Sequence, residues 1–332
     1  MKKIYKTIIL GSGVGGLSAG KLIKDSIILE KQETIPKNLQ NGVHYLHSIP
    51  KIKTNIKYKQ IRLDECVFNS NDCITQKPNL YDAMLYSYKA IGIIQPTSIF
   101  QLGKRNHCFV PQSNDMNDLI DDLAKNCNIE FGEEFKKIDL KEKIINDKYK
   151  YNYLLSTISL KTLLQLIGIP FKIEFNSNKI YTYNYKIYTY NYCIKNIKSD
   201  WLISIYIARD DFYSYRMSIL NNQISVESNK SMEPVMVYKE IKKIFPFLEL
   251  NEESFKEGKW DTGKVISISV KNRKNILEQL LKHNIIPFGR YGQWDRRLLI
   301  DSTIEQANII ANFIKKKISK KELIEKLLNV AK

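Results

Sequence analysis

The apolar positions of this chain change their period several times, and each change marks an element. Ile8, Ile9 and Leu10 close the first run as consecutive apolar residues, the pattern of a strand buried on both faces. Leu17, Ala19, Leu22 and Ile23 then recur at helical spacing, and Ile27 to Leu29 form a second short apolar run. Strand-like stretches follow in NIKYKQIRL and ECVFN, and a helix is predicted around Tyr81 to Ala90. Another helix starts at Asn117, with Leu119, Ile120, Leu123 and Ala124 on one face and Ser113 or Asn114 as its cap. NIEFG and EFKKIDL read as two tightly joined strands, and YNYLLSTIS as a strand with Leu154 and Leu155 buried. Lys161 to Ile167 reads as a helix ended by Gly168 and Pro170.

The middle of the chain turns to alternation. IYTYNYK from Ile180 is repeated as IYTYNYC ending at Cys193, too few copies for a repeat fold. Alternation sets Tyr181, Tyr183 and Tyr185 on one side of a strand. That row is either a stacking platform for bases or sugars, or a sheet face packed on its own domain; the second is the plainer reading. Trp201 to Ala208, Phe212 to Leu220 and Gln223 to Glu227 read as an antiparallel meander, with turns at Arg209-Asp210-Asp211 and Asn221-Asn222. A helix over Pro234 to Ile244, a strand over Val265 to Val270 and a helix over Asn275 to His283 come next. A short strand, Asn284 to Pro287, and a long helix carrying Ile304, Ala307, Ile310, Ala311 and Ile314 complete the pattern.

The glycines give two of these junctions a chemical meaning. Gly11, Gly13 and Gly16 fall in the GxGxxG spacing between the first strand and its helix, and Glu30 ends the second strand. Gly11 allows the tight turn, Gly13 lets a pyrophosphate approach the backbone, and Gly16 lets helix and strand pack closely. The free N–H groups and dipole of the helix start hold phosphate charge, and Glu30 accepts hydrogen bonds from ribose hydroxyls. Ser12, Val14 and Gly15 in the same turn, and Lys31 after Glu30, join this candidate set. Near the other end Gly289, Arg290, Tyr291 and Gly292 make a second glycine turn between strand and helix. The two ends of the chain are thus expected to supply one dinucleotide site.

Composition adds bounds. With 332 residues and 43% hydrophobic content the chain can bury a large core and suggests two structural domains. A formal charge of +17 favours an anionic partner such as a nucleotide, a nucleotide-sugar or DNA, or else reflects a solvated lysine-rich surface. The joint abundance of Lys, Asn, Ile and Tyr looks like an AT-rich coding bias. Cys66, Cys73, Cys108, Cys127 and Cys193 are odd in number and form no CxxC pair, which argues for a reducing compartment and against a disulfide frame or structural zinc. His44 and His47 stand three apart with only His107 and His283 elsewhere, so no metal site is expected. A histidine beside a redox cofactor or anionic substrate is one reading of the pair, and a packed, hydrogen-bonded histidine is the other. Arg216, inside a strand, is a carboxylate or phosphate clamp if it faces a cavity. No run is long enough to cross a bilayer and no signal-peptide region is visible, so a cytoplasmic, membrane-free protein is expected.

Several blocks, in this order, resemble the FAD-dependent amine oxidase, protoporphyrinogen oxidase and UDP-galactopyranose mutase superfamily. They are GSGVGG with Glu30, NGVHYLH, FVPQSNDMNDLIDDLA, EEFKKIDL, YNYLLSTIS and GRYGQW…IDSTIEQA. The patches run from end to end. The departures are IPKNLQNG after Glu30, Ser113 and Asn114 in place of a glycine pair, and Ser267-Ile268 in place of a Tyr-Pro pair.

The resemblance implies FAD as cofactor and an α/β fold: a Rossmann-type FAD-binding domain, its parallel sheet flanked by helices, with an inserted antiparallel-sheet substrate domain. Residues 1–50, 101–160 and 284–332 would form the first, and 51–100 and 161–283 the second. It adds Phe135, Thr157, Trp294 and Asp301 to the cofactor set, with Gly289, Arg290 and Gly292. It makes His44 and Arg216 the catalytic candidates, and His44, Tyr45, His47, Arg216, Tyr291 and Trp294 the substrate candidates, with Trp294 and Tyr291 flanking the flavin ring.

The activity it implies is oxidation of a C–N bond in a polar or anionic amine by hydride transfer to flavin N5. The alternatives are a mutase-like enzyme on a nucleotide-sugar, a flavoenzyme acting on a modified base in phage DNA, and a non-catalytic FAD-binding protein.

Overall fold

The computed structural model describes residues 3–37, 39, 42–94, 106–170, 172–190 and 200–330. Cys193 and the domain boundary expected at residue 100 lie outside the described residues. The chain begins with β1 (Lys3–Leu10), α1 (Val14–Leu22) and β2 (Ser26–Leu29), then passes to β3 (Tyr58–Phe68), β4 (Ile74–Thr75) and α2 (Leu80–Ile91). β5 (His107–Pro111), α3 (Asn117–Ala124), β6 (Ile129–Glu130), β7 (Ile138–Asp139), β8 (Ile144–Ile145), β9 (Tyr149–Ser156) and α4 (Leu160–Ile167) follow. Next come β10 (Ser177–Tyr190), β11 (Trp201–Ile207), β12 (Ser214–Leu220), β13 (Gln223–Ser228), α5 (Pro234–Ile244) and β14 (Leu248–Val265). The chain closes with α6 (Val270–Lys282), β15 (Ile285–Pro287), α7 (Gly289–Gln293), α8 (Ile300–Ile314) and α9 (Lys320–Asn329).

The first sheet runs β6-β2-β1-β9-β8-β7, with β15 also paired to β9. β1, β2, β6, β9 and β15 pair in parallel, and β7 and β8 extend the sheet antiparallel. Successive side chains of a strand point to opposite faces. Ile9, Ile28, Leu155 and Ile286 accordingly pack with α1, α3, α8 and α9. Ile8, Leu10, Ile27, Leu29 and Leu154 pack on the other side with α4 and α6. Both faces are covered, which is why these strands read as unbroken apolar runs.

The second sheet runs β14-β10-β13-β12-β11-β3-β4, with β5 on β3. Its pairs are antiparallel except β3 with β11. One face carries Tyr183, Tyr185, Met217, Ile219 and Val226 against α5. The tyrosine row is therefore a packed sheet face: Tyr183 and Tyr185 are buried and share Phe255 as a ring neighbour. The opposite face carries Arg216 and Glu227, which line a cavity.

Several expectations need correction. The chain divides elsewhere than at the expected boundaries: β5 joins the second sheet, while α4 and α6 pack on the first. NIKYKQIRL and ECVFN form one strand, β3. β6 and β7 do not pair with each other; β6 is the edge partner of β2 and β7 pairs with β8. The strand expected over Val265–Val270 ends at Val265, because Ser269 caps α6 by accepting from the Asn272 amide. β14 escaped notice because it is an edge strand with many charged, exposed side chains and no clean alternation. Neither Ser113 nor Asn114 caps α3; the Asp115 carboxylate accepts from the Asn117 amide at 2.8 Å.

Candidate functional site

A cavity of about 540 Å³ opens between the two sheets. Its floor is the start of α1 (Gly13, Val14, Gly15), the end of β9 (Thr157), the second glycine turn (Gly289, Arg290) and the start of α8 (Ile300, Thr303). Its far wall is Arg216 and Glu227 from the second sheet, Trp260 to Lys264 of β14, and His44, Tyr45 and His47 from the loop after β2. The Gly11 turn and the Gly289 turn thus border one space.

The first turn is held tightly. Gly11 has φ +91°, in the left-handed region that favours glycine. A side chain at Gly16 would overlap the Gly11 carbonyl oxygen, so helix and strand meet here only through glycine. Glu30 is buried and its Oε2 accepts from both the amide and the hydroxyl of Ser12 at 2.8 Å, while Oε1 accepts from the Gln32 amide at 2.9 Å. Glu30 therefore braces the turn itself. Gly13 differs from its neighbours: nothing lies within 4 Å of where its Cβ would be. No side chain caps the α1 N-terminus. Open space, uncapped amides and a helix dipole at one point suit a phosphate, so the residues present fit the pyrophosphate of FAD.

The far end is polar and crowded. Arg216 and Glu227 are cross-strand partners and form an ion pair. The register shifts between Ser214 and Arg216, so Tyr215 is an extra residue on β12, and it packs with α2 rather than α5. Lys264 Nζ donates to Tyr86 Oη at 3.2 Å and lies 3.8 Å from the centre of the Tyr215 ring. Burial, with help from the charges of Arg216, Arg290 and Arg296, lowers the Lys264 ammonium to about 7, against an opposing pull from Glu227. Burial also pushes Glu227 up, but Arg216 and Lys264 outweigh it and hold the carboxyl below its ordinary range. Tyr206 donates to Glu65 at 2.8 Å, and Tyr45 donates to the same oxygen at 3.4 Å. Burial first, and Glu65 second, raise the Tyr45 hydroxyl well above its usual value. His44 meets Trp260 edge-on with ring centres 6.4 Å apart.

Of the residues singled out in the sequence, Gly13, Val14, Gly15, His44, Tyr45, His47, Thr157, Arg216, Gly289, Arg290 and Tyr291 line this cavity. Thr157 also donates to the Leu10 carbonyl at 2.8 Å. Gly11, Ser12, Gly16 and Glu30 form the turn behind it, and Lys31 is exposed beyond Glu30. Gly292 backs onto the Ser156 carbonyl.

Four of the expected cofactor residues have further structural ties. Trp294 does not border the cavity; it is a core residue packed edge-on against Phe175, donating to the Asn176 carbonyl at 3.3 Å. Phe135 precedes β7 in an irregular segment and packs against the core. Asp301 lies in the first turn of α8, where it accepts from Ser48 at 3.2 Å. The Gly289 amide is already committed, donating to Gln306 Oε1 at 2.7 Å. The sequence reading also missed Lys264, Glu227, Trp260 and Thr303, all of which line the cavity. Among the described residues no group of His, Cys, Asp and Glu could hold a metal ion, and no helix is long and apolar enough to cross a membrane.

No protein-family model and no curated protein matches the chain by sequence. Solved structures do match it. A crystal structure of reduced UDP-galactopyranose mutase superposes with TM-score 0.72 at 13% identity, covering 96% of this chain and 96% of that one. The chain has the fold of that enzyme. A redesigned putrescine oxidase superposes with TM-score 0.60 at 8% identity, over 95% of this chain and 100% of that one. A fatty acid isomerase from P. acnes gives 0.59 at 10% identity, over 95% and 99%. The shared architecture is the α/β arrangement expected from the sequence, a Rossmann-type domain with an inserted, largely antiparallel sheet.

Proposed function

We propose that this protein is an FAD-dependent oxidoreductase acting on a C–N bond of a polar or anionic amine. The observation that carries the reading is one continuous cavity running from the bare backbone at Gly13 to the charged wall of Arg216, Glu227 and Lys264. When bound, FAD supplies a two-electron acceptor. Gly13 and the α1 amides would hold its pyrophosphate, and Glu30 would keep the turn in shape through Ser12. Arg216 and Arg290 would hold an anionic group of the substrate, and Lys264, its ammonium lowered to about 7, would accept a proton. Tyr45 and His44 would narrow the entrance and limit water.

The test is direct. FAD added to purified protein should bind with a change in flavin absorbance, and anaerobic addition of amines or amino acids should bleach it. Retained colour with every amine tried, in protein that does bind FAD, would remove the C–N assignment.

A second reading is a mutase-like reaction on a nucleotide-sugar. The excess of cations over carboxylates near β14 favours it, since a diphosphate fits among Arg216, Lys264 and Arg290. Turnover of a nucleotide-sugar only after dithionite reduction would select this reading. DNA as substrate gains no support from the cavity.

A further inference from the structure

Lys264 is one of the cavity side chains that the sequence reading missed. It stands near the end of β14, on the wall of the cavity. Its ammonium faces the Tyr215 ring of β12 and the Tyr86 hydroxyl of α2. The charged groups acting on it are Arg216 of β12, Arg290 of α7, Arg296 of the following loop and Glu227 of β13. Three cations oppose its charge and one carboxylate supports it. The carboxylate is itself paired to Arg216. A lysine enclosed by rings and ringed by other cations is the environment that turns an amine into a nucleophile.

We propose that Lys264 is a carbonyl-reactive amine, forming an imine with a small, anionic aldehyde or ketone that enters the cavity. The nitrogen adds to the carbonyl carbon, making a C–N bond, and the carbonyl oxygen leaves as water with the two amine protons. The Tyr86 hydroxyl, 3.2 Å from Nζ, is placed to relay one of these protons from the nitrogen to the departing oxygen, taking one up as it gives one away. Arg216 and Arg290 would orient the anionic group. No oxidant is consumed, so the proposal does not rest on FAD and survives or fails independently of it.

Burial and the neighbouring cations set the scale of the effect. With its ammonium lowered to about 7, roughly half of Lys264 is neutral at pH 7, against about one in 2,500 for an ordinary lysine. That is roughly a thousandfold advantage in neutral amine.

The experiment uses glyoxylate with cyanoborohydride at pH 7, for short exposures, on the full chain with and without FAD. Hydride from cyanoborohydride converts the imine to a stable secondary amine, which peptide mapping by mass spectrometry locates. Lys264 should be modified well ahead of the surface lysines, and the Lys264→Arg variant should lose that early adduct alone. Modification spread over surface lysines with Lys264 spared would overturn the proposal, whether or not FAD binds.

Discussion

The Tyr291 hydroxyl donates to the Gly263 carbonyl at 3.2 Å, tying the second glycine turn to the edge strand β14 that closes the cavity. Gly263 has no room for more: a Cβ there would overlap the Ile180 side chain on β10. Gly263→Ala should therefore destabilise the protein by about 1–3 kcal/mol through overpacking. Tyr291→Phe removes a single hydrogen bond and should cost about 1 kcal/mol. Urea unfolding of both variants checks the order; equal losses would show that the Ile180 contact relaxes freely.

Two glycines of the first turn should separate folding from binding. Gly16→Ala collides with backbone at Gly11 and should yield little folded protein. Gly13→Ala points into open space and should leave stability within about 0.5 kcal/mol of the parent. Its FAD affinity should nevertheless fall about tenfold or more, since the methyl occupies the phosphate position. Fluorescence titration of Gly13→Ala decides the matter, and unchanged affinity would move the pyrophosphate elsewhere.

Lys264 makes stability depend on pH in a specified direction. Its folded value, about 7, lies below the unfolded value near 10.4, so between these the unfolded chain binds more protons. Stability therefore rises as pH increases from about 7, by on the order of 4 kcal/mol if no other group titrates. Lys264→Met should be more stable than the parent at pH 7 and should lose this difference as pH approaches 10. Guanidinium unfolding at several pH values, read as the difference between the two proteins, measures it. A difference constant over that range would place Lys264 in water.

Asp295 forms a buried ion pair with Arg273 at 2.5 Å and also accepts from Arg297 at 2.9 Å and Ser267 at 3.1 Å. Burial pushes its carboxyl up, but Arg297 and Arg273 prevail and hold it below the ordinary range. The stability it confers is present above the unfolded carboxyl value and is lost as pH falls through the folded one. Asp295→Ala strands Arg273, which is only 2% exposed, and should cost about 3–5 kcal/mol. The loop from Trp294 to Leu298 should lose hydrogen-exchange protection with it.

Much of this architecture was legible, and the reason is local. The first β-α-β unit announces itself because glycine, apolar run and carboxylate each answer to a short-range rule. The hairpin of β12 and β13 was equally readable: with Asn221-Asn222 as a two-residue turn, equal steps back along each strand set Arg216 opposite Glu227. That step would have exposed the ion pair and with it the polar wall. Lys264 was not readable in this way. Its chemistry arises from Tyr86, Tyr215 and Arg290, which are distant in sequence and meet only after both sheets form. Trp294 misled because its role was carried over with the GRYGQW block, while in this chain its left-handed backbone (φ 51°) turns the chain and its ring packs into the core.

Gln306 spends both ends of one side chain on main-chain partners. Its oxygen accepts from the Gly289 amide at 2.7 Å, and its nitrogen donates to the Leu327 carbonyl on α9 at 3.0 Å. The final helix is thus a buttress for a turn some forty residues earlier in the chain. Fusion partners or truncations that unseat α9 would release that amide and slacken the cavity floor, an effect felt far from the site of the alteration.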